Sequence, residues 1–172
     1  LGALTSSIVQ NLNSSAFGGL SGSQLGSLST TALQGLTTAQ AVALTSATLQ
    51  SLSSTQINSL TSTALDAIET ADIASIGKTL LSGISSTQLN LLTTSQVQAI
   101  SSSSLQNLNT VQISGLSTTQ LVALSSTQVQ ALNVGQVQAL ALDKLGTAQI
   151  ANLSLSQTKA LTSTQINNLA DR

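Results

Sequence analysis

The stretch Leu116-Ser117-Thr118-Thr119-Gln120-Leu121-Val122-Ala123-Leu124, followed by Ser125-Ser126-Thr127-Gln128-Val129-Gln130-Ala131-Leu132, states one eight-residue unit twice. If the residue after each anchoring leucine is position one, that position holds Ser117 and Ser125, and position four holds Gln120 and Gln128. Serine followed three residues later by glutamine is a capping box. The hydroxyl accepts from the position-four backbone N–H, the amide oxygen accepts from the position-one N–H, and a helix starts. Leu121 and Val129 at position five precede the anchors Leu124 and Leu132 by three, which places each pair on one helical face. The predicted core is therefore Leu116, Leu121, Leu124, Val129 and Leu132, and the predicted caps are Ser117 with Gln120 and Ser125 with Gln128.

The same beat runs outward in both directions. Anchors recur every eight residues from Leu4 through Leu12, Leu20, Leu28, Leu36 and onward to Leu140, and after a short step at 141–145 they resume at Leu145, Leu153, Leu161 and Leu169. A short fixed period means a repeat architecture in which each unit buries its apolar side only against its neighbours. A helix this short does not persist alone in water, and residues 1–172 are expected to form one array, a segment of something longer, because neither end reads as a polar capping unit. A continuous helix is excluded: at ~100° per residue the apolar positions would drift ~80° per octad and spiral around the whole surface. The expected fold is all-α, a solenoid of short capped helices with one helix per octad. A β-solenoid stays open as the alternative, although side chains of period two put positions five and eight on opposite faces. Gln24, Gln40, Gln56, Asp72 and Gln88 recur every sixteen residues at position four, which predicts a structural unit of two octads.

Composition closes off several functions. Charged residues make up 5% of the chain and aromatics 1%, and His, Cys, Met and Tyr are absent. No haem ligand, zinc thiolate or disulfide is available, and no cofactor is expected. A net charge of -1 from four basic and five acidic residues builds no phosphate-binding surface, so nucleic acid is not an expected partner. Ser, Thr and Gln interrupt every apolar run before the ~18 residues of a spanning helix, and no membrane span is expected. The hydroxyls are spaced by the repeat and lack a histidine base, so the chain is read as non-enzymatic.

Chemistry outside the repeat is confined to departures from the beat. Phe17-Gly18-Gly19 reads as a bend filled by one ring. Asp66, Glu69 and Asp72, with Lys78 nearby, form the only charge cluster and are the sole weak metal candidates. Their positions favour helix capping over calcium, whose loops carry denser oxygen ligands and a turn glycine. Joining Leu169-Ala170-Asp171-Arg172 to Leu1-Gly2 approximates the internal Leu140-Ala141-Leu142-Asp143-Lys144-Leu145-Gly146, which suits a long tandem array or head-to-tail stacking. The chain starts at Leu1 without a cleavable leader and is read as a mature product or a piece.

The units Ser125-Ser126-Thr127-Gln128-Val129-Gln130-Ala131-Leu132 and Thr37-Thr38-Ala39-Gln40-Ala41-Val42-Ala43-Leu44 resemble the repeats of very large bacterial secreted or surface proteins of the adhesin or haem-utilisation type. That resemblance implies extracellular display and a structural role as filament or adhesin stalk, with further copies of the same repeat as partner. The missing ligands speak against haem. The alternative is a binding module, such as an ice-binding surface, that presents a regular Ser/Thr face.

Overall fold

The computed structural model describes residues 5–171; the anchor Leu4, and Leu1, Gly2 and Arg172 of the proposed junction, lie outside them. Within the described residues every octad forms a helix of four to eight residues, twenty in all, with one 3-10 turn and no strand. The fold is an all-α solenoid, and the β-solenoid is set aside. One octad explains the local geometry. In Ser117–Leu124 the N-cap Ser117 is extended and its side chain accepts from the Gln120 N–H, and the helix Thr118–Ala123 ends on Leu124, whose N–H donates back to the Leu121 carbonyl. Leu124 (φ -57, ψ 132) and the next N-cap Ser125 (φ -68, ψ 156) place two extended residues between helices, and these turn the corner.

Each helix packs on the third one along the chain: Ser6–Asn11 on Thr30–Gln34, Thr38–Val42 on Ser62–Ala67, and Thr94–Ala99 on Thr118–Ala123. A coil therefore holds three octads, and the solenoid has three faces. This corrects the two-octad unit expected from the sixteen-residue alternation, which does not map onto a coil of twenty-four residues. Position four alternates in the first half because some corners do without glutamine, as described below.

Positions five and eight of all three faces point inward and form one continuous core. Leu116, Leu121, Leu124, Val129 and Leu132 are all buried in it, and so is Phe17. The core closes tightly: a void among residues including Ile57, Ile68, Ile73, Ile76 and Ile84 measures only about 10 Å³. That is the smallest space that can hold a water, and its lining offers a water almost nothing to bond.

The short step at 141–145 is absorbed as a truncated third segment. The 3-10 turn Leu142–Lys144 replaces a helix, packs on Thr118–Ala123 below and Ser163–Ala170 above, and keeps three segments in the coil. Leu142 and Leu145 stay buried, while Asp143 and Lys144 face outward.

Candidate functional site

Among the described residues no three acidic, histidine or cysteine side chains converge, and the feature that recurs with fixed chemistry is the joint between coils, which is the candidate site. Position-four glutamine makes that joint. The Gln120 Oε1 accepts from the Ser117 N–H at 3.0 Å, closing the start of its own helix, while its Nε2 donates to the Leu89 and Leu92 carbonyls at 2.9 and 2.7 Å. Those carbonyls belong to the end of the helix Ser86–Asn90, one coil earlier. One amide thus satisfies a helix N-terminus and a helix C-terminus, both of which expose backbone groups without intrahelical partners. Gln128 repeats the geometry with Ser125, Val97 and Ile100, and Gln136 with Asn133, Leu105 and Leu108.

The ladder records the coil length in its own spacing. From Gln40 to Gln136 the outermost acceptors lie 31 and 28 residues back, except that the farther acceptor of Gln56 is Gly26, 30 back; for Gln149, Gln157 and Gln165, beyond the truncated segment, they lie 28 and 25 back. The shift of three is the residue deficit of that segment. All eleven of these glutamines are buried, and no buried side-chain polar atom among the described residues lacks a partner. Gln24, in the first coil, has no coil behind it in the described residues; it keeps its bond to the Ser21 N–H and is exposed.

The sequence reading recognised the capping half of this device and missed the clamping half. A signal was present. A capping box accepts glutamate as readily as glutamine, yet none of the position-four residues is glutamate. Glutamate could accept from the N-cap N–H but could not donate to two carbonyls.

A second, forward-reaching set of amides sits at position six. Gln50 donates to the Ser75 carbonyl, Asn58 to Gly83, Gln98 to Ala123 and Gln138 to Ala160. Some coils also approach so closely that a side chain is excluded. A Cβ on Gly35 would lie 2.6 Å from the Ser6 Cβ, and one on Gly83 2.5 Å from the Ser54 Oγ.

The acidic candidates do not converge. Among the described residues no three acids, histidines or cysteines are grouped to hold a metal ion. Asp66 is exposed at position six of its helix. Glu69 is an N-cap residue whose side chain makes no cap bond. Asp72 takes the place of the glutamine and accepts from the Ser46 Oγ of the coil below at 2.6 Å. An open concavity on the last coil is lined by Thr147, Ile150, Ala151 and Leu169 and holds no titratable group. No helix among the described residues is long and apolar enough to cross a membrane.

With this geometry in view, comparison with known families gives one match: residues 97–141 are similar to the ALTTAQ repeat. The chain is a repeat protein. The matched stretch contains Ala123-Leu124-Ser125-Ser126-Thr127-Gln128, which in this chain spans an anchor, a cap and a clamp. No characterised protein matches the chain significantly.

Proposed function

We propose that this chain is a structural, non-enzymatic element of an extracellular filament or adhesin stalk, extended by continuing the solenoid through further copies of the repeat. The observation that carries the reading is the polarity of the joint. Position-four glutamines donate backward to carbonyls at the helix ends of the coil below, whereas the amides that donate forward stand at position six, so the two sides of a coil differ and complement each other. Contacts of this head-to-tail kind do not close on themselves and extend into filaments unless a rotation closes the ring. The outermost described coils carry the two complementary sides: Ile8, Ala16 and Gln24 on one, Ile150, Leu161 and Ile166 on the other. Only nine formal charges on the whole chain leave little repulsion between copies.

Electron microscopy of the purified chain over a wide concentration range tests this. Threads of one solenoid's width that lengthen with concentration are the expected result. Discrete short rods that never join end to end would overturn assembly between chains.

A further inference from the structure

The three faces of the solenoid are not equivalent. Among the described residues, eight large apolar side chains are exposed, and five of them (Val42, Leu91, Val111, Val134 and Leu155) lie on one face. That face is the stack of helices Thr38–Val42, Ser62–Ala67, Ser86–Asn90, Thr110–Ser114, Val134–Ala139 and Leu155–Lys159. The other two faces carry Ile8, Val122 and Ile166, two of which belong to the outermost coils. Val111 is 67% exposed and Leu155 72%, values that core packing does not explain.

The charges on this face have a symmetry of their own. Its helices from Ser62 to Lys159 carry two ionisable groups, Asp66 and Lys159, both exposed and both at position six. Asp66 is two coils below Val111 and Lys159 two coils above it; Leu91 is one coil below and Val134 one coil above. We infer that this face pairs with the same face of a second copy, antiparallel, about a two-fold axis at Val111. A two-fold interface must be self-complementary, each residue meeting the counterpart of its mirror position. With that axis lying along the helices, Val111 meets Val111 and Asp66 meets Lys159, twice over, because both charges stand at position six; Leu91, at position seven, and Val134, at position two, lie to either side of the paired charges and valines. In parallel pairing Asp66 would face Asp66 and Lys159 would face Lys159, which like-charge repulsion disfavours.

The size suffices. Five stacked helices at about 10 Å, each with an octad roughly 15 Å wide, give about 750 Å² per copy, close to the ~800 Å² of a standard specific interface. The pairing is independent of end-to-end growth, because it uses a lateral face and closes at two copies.

Sedimentation equilibrium of the full chain tests it, with three variants whose altered side chains are exposed and outside the core. The wild type should be a closed dimer at micromolar concentration. V111K places two ammonium groups on the axis and should weaken dimerisation about 100-fold, with a thermal melt equal to that of the wild type at dilutions where both are monomeric. D66K should weaken it about tenfold and raise its salt dependence, and D66K with K159D should restore it to within about twofold. A wild type that stays monomeric to high concentration, a V111K that still dimerises fully, or a double variant as weak as D66K would each overturn the pairing. A monomer that instead binds phosphatidylcholine vesicles, and loses that binding with V111K, would overturn it in favour of a lipid surface. Loss of lateral pairing with end-to-end threads intact, or the converse, separates this inference from the filament reading.

Discussion

The corners between residues 29 and 84 and those between 85 and 165 are built on the same octad and joined differently. In the first region position four reads Ala32, Gln40, Thr48, Gln56, Ala64, Asp72 and Leu80, and only Gln40 and Gln56 clamp the coil below. In the second it reads Gln88, Gln96, Ser104, Gln112, Gln120, Gln128, Gln136, Gln149, Gln157 and Gln165, and every glutamine clamps. The first region, with the adjoining coil, also has the closest backbone approaches. A Cβ at Gly26, Gly35 or Gly83 would fall within 3.0 Å of a neighbouring coil, against Gly115 alone in the second. The apolar core runs unbroken through both. Burial therefore suffices to form the solenoid, and the amide ladder is an added layer that fixes each corner to the one below. Repeat arrays sum local and nearest-neighbour terms, so the clamped region is expected to be the stiffer and more slowly exchanging of the two.

The sharpest way to break this comparison is to spoil one clamp electrostatically. Gln120→Glu buries a carboxylate against the Leu89 and Leu92 carbonyls and should cost roughly 3–5 kcal/mol at neutral pH by denaturant unfolding. The sign with pH follows from burial, which raises the folded-state pKa of the new acid above its unfolded value near ~4.3. The folded state then binds the extra proton, so the loss should shrink as pH falls toward 4 and the protonated acid regains a donor. A loss independent of pH would mean that shape alone matters at this corner.

Next in size, Gln120→Ala should cost about 2–3 kcal/mol, because the Ser117 N–H and the Leu92 carbonyl lose their partner in a buried site and the Leu89 carbonyl keeps only the Leu92 N–H. Gln24→Ala removes the same capping bond from an exposed residue and should cost about 0.5–1 kcal/mol. Equal losses would reduce the ladder to ordinary helix capping.

The comparison can also be narrowed from the other side. Thr48→Gln adds a clamp in the sparse region, within reach of the Phe17 and Leu20 carbonyls by the ladder's spacing, and should stabilise by about 1 kcal/mol with slower amide exchange around its corner. The smallest expected effects have opposite signs. Gly83→Ala should destabilise by about 1 kcal/mol, because its Cβ meets Ser54. Gly135→Ala, which meets only the Asn133 Oδ1 at 3.4 Å in a helix of the clamped region, should stabilise by about 0.5 kcal/mol in the same melts.

Much of this molecule was written in the octad itself. Leu121 and Leu124 three apart on one face, Ser117 opening a helix and Gln120 closing its first turn are local facts, decided within eight residues. They determined an all-α chain of short helices and a core at positions five and eight. The break at 141–145 was legible for the same reason, since three missing residues move an anchor off the beat. What the octad did not determine is how many units make a coil. Near-identical units look alike after sixteen, twenty-four or thirty-two residues, and the choice is made by the angle through which the two extended corner residues redirect each helix. Three octads per coil, the donation of Gln120 to Leu89 and Leu92 rather than to solvent, and the gathering of Val111, Leu91 and Val134 on one face all follow from that angle. They exist only when residues about twenty-eight positions apart are stacked in space.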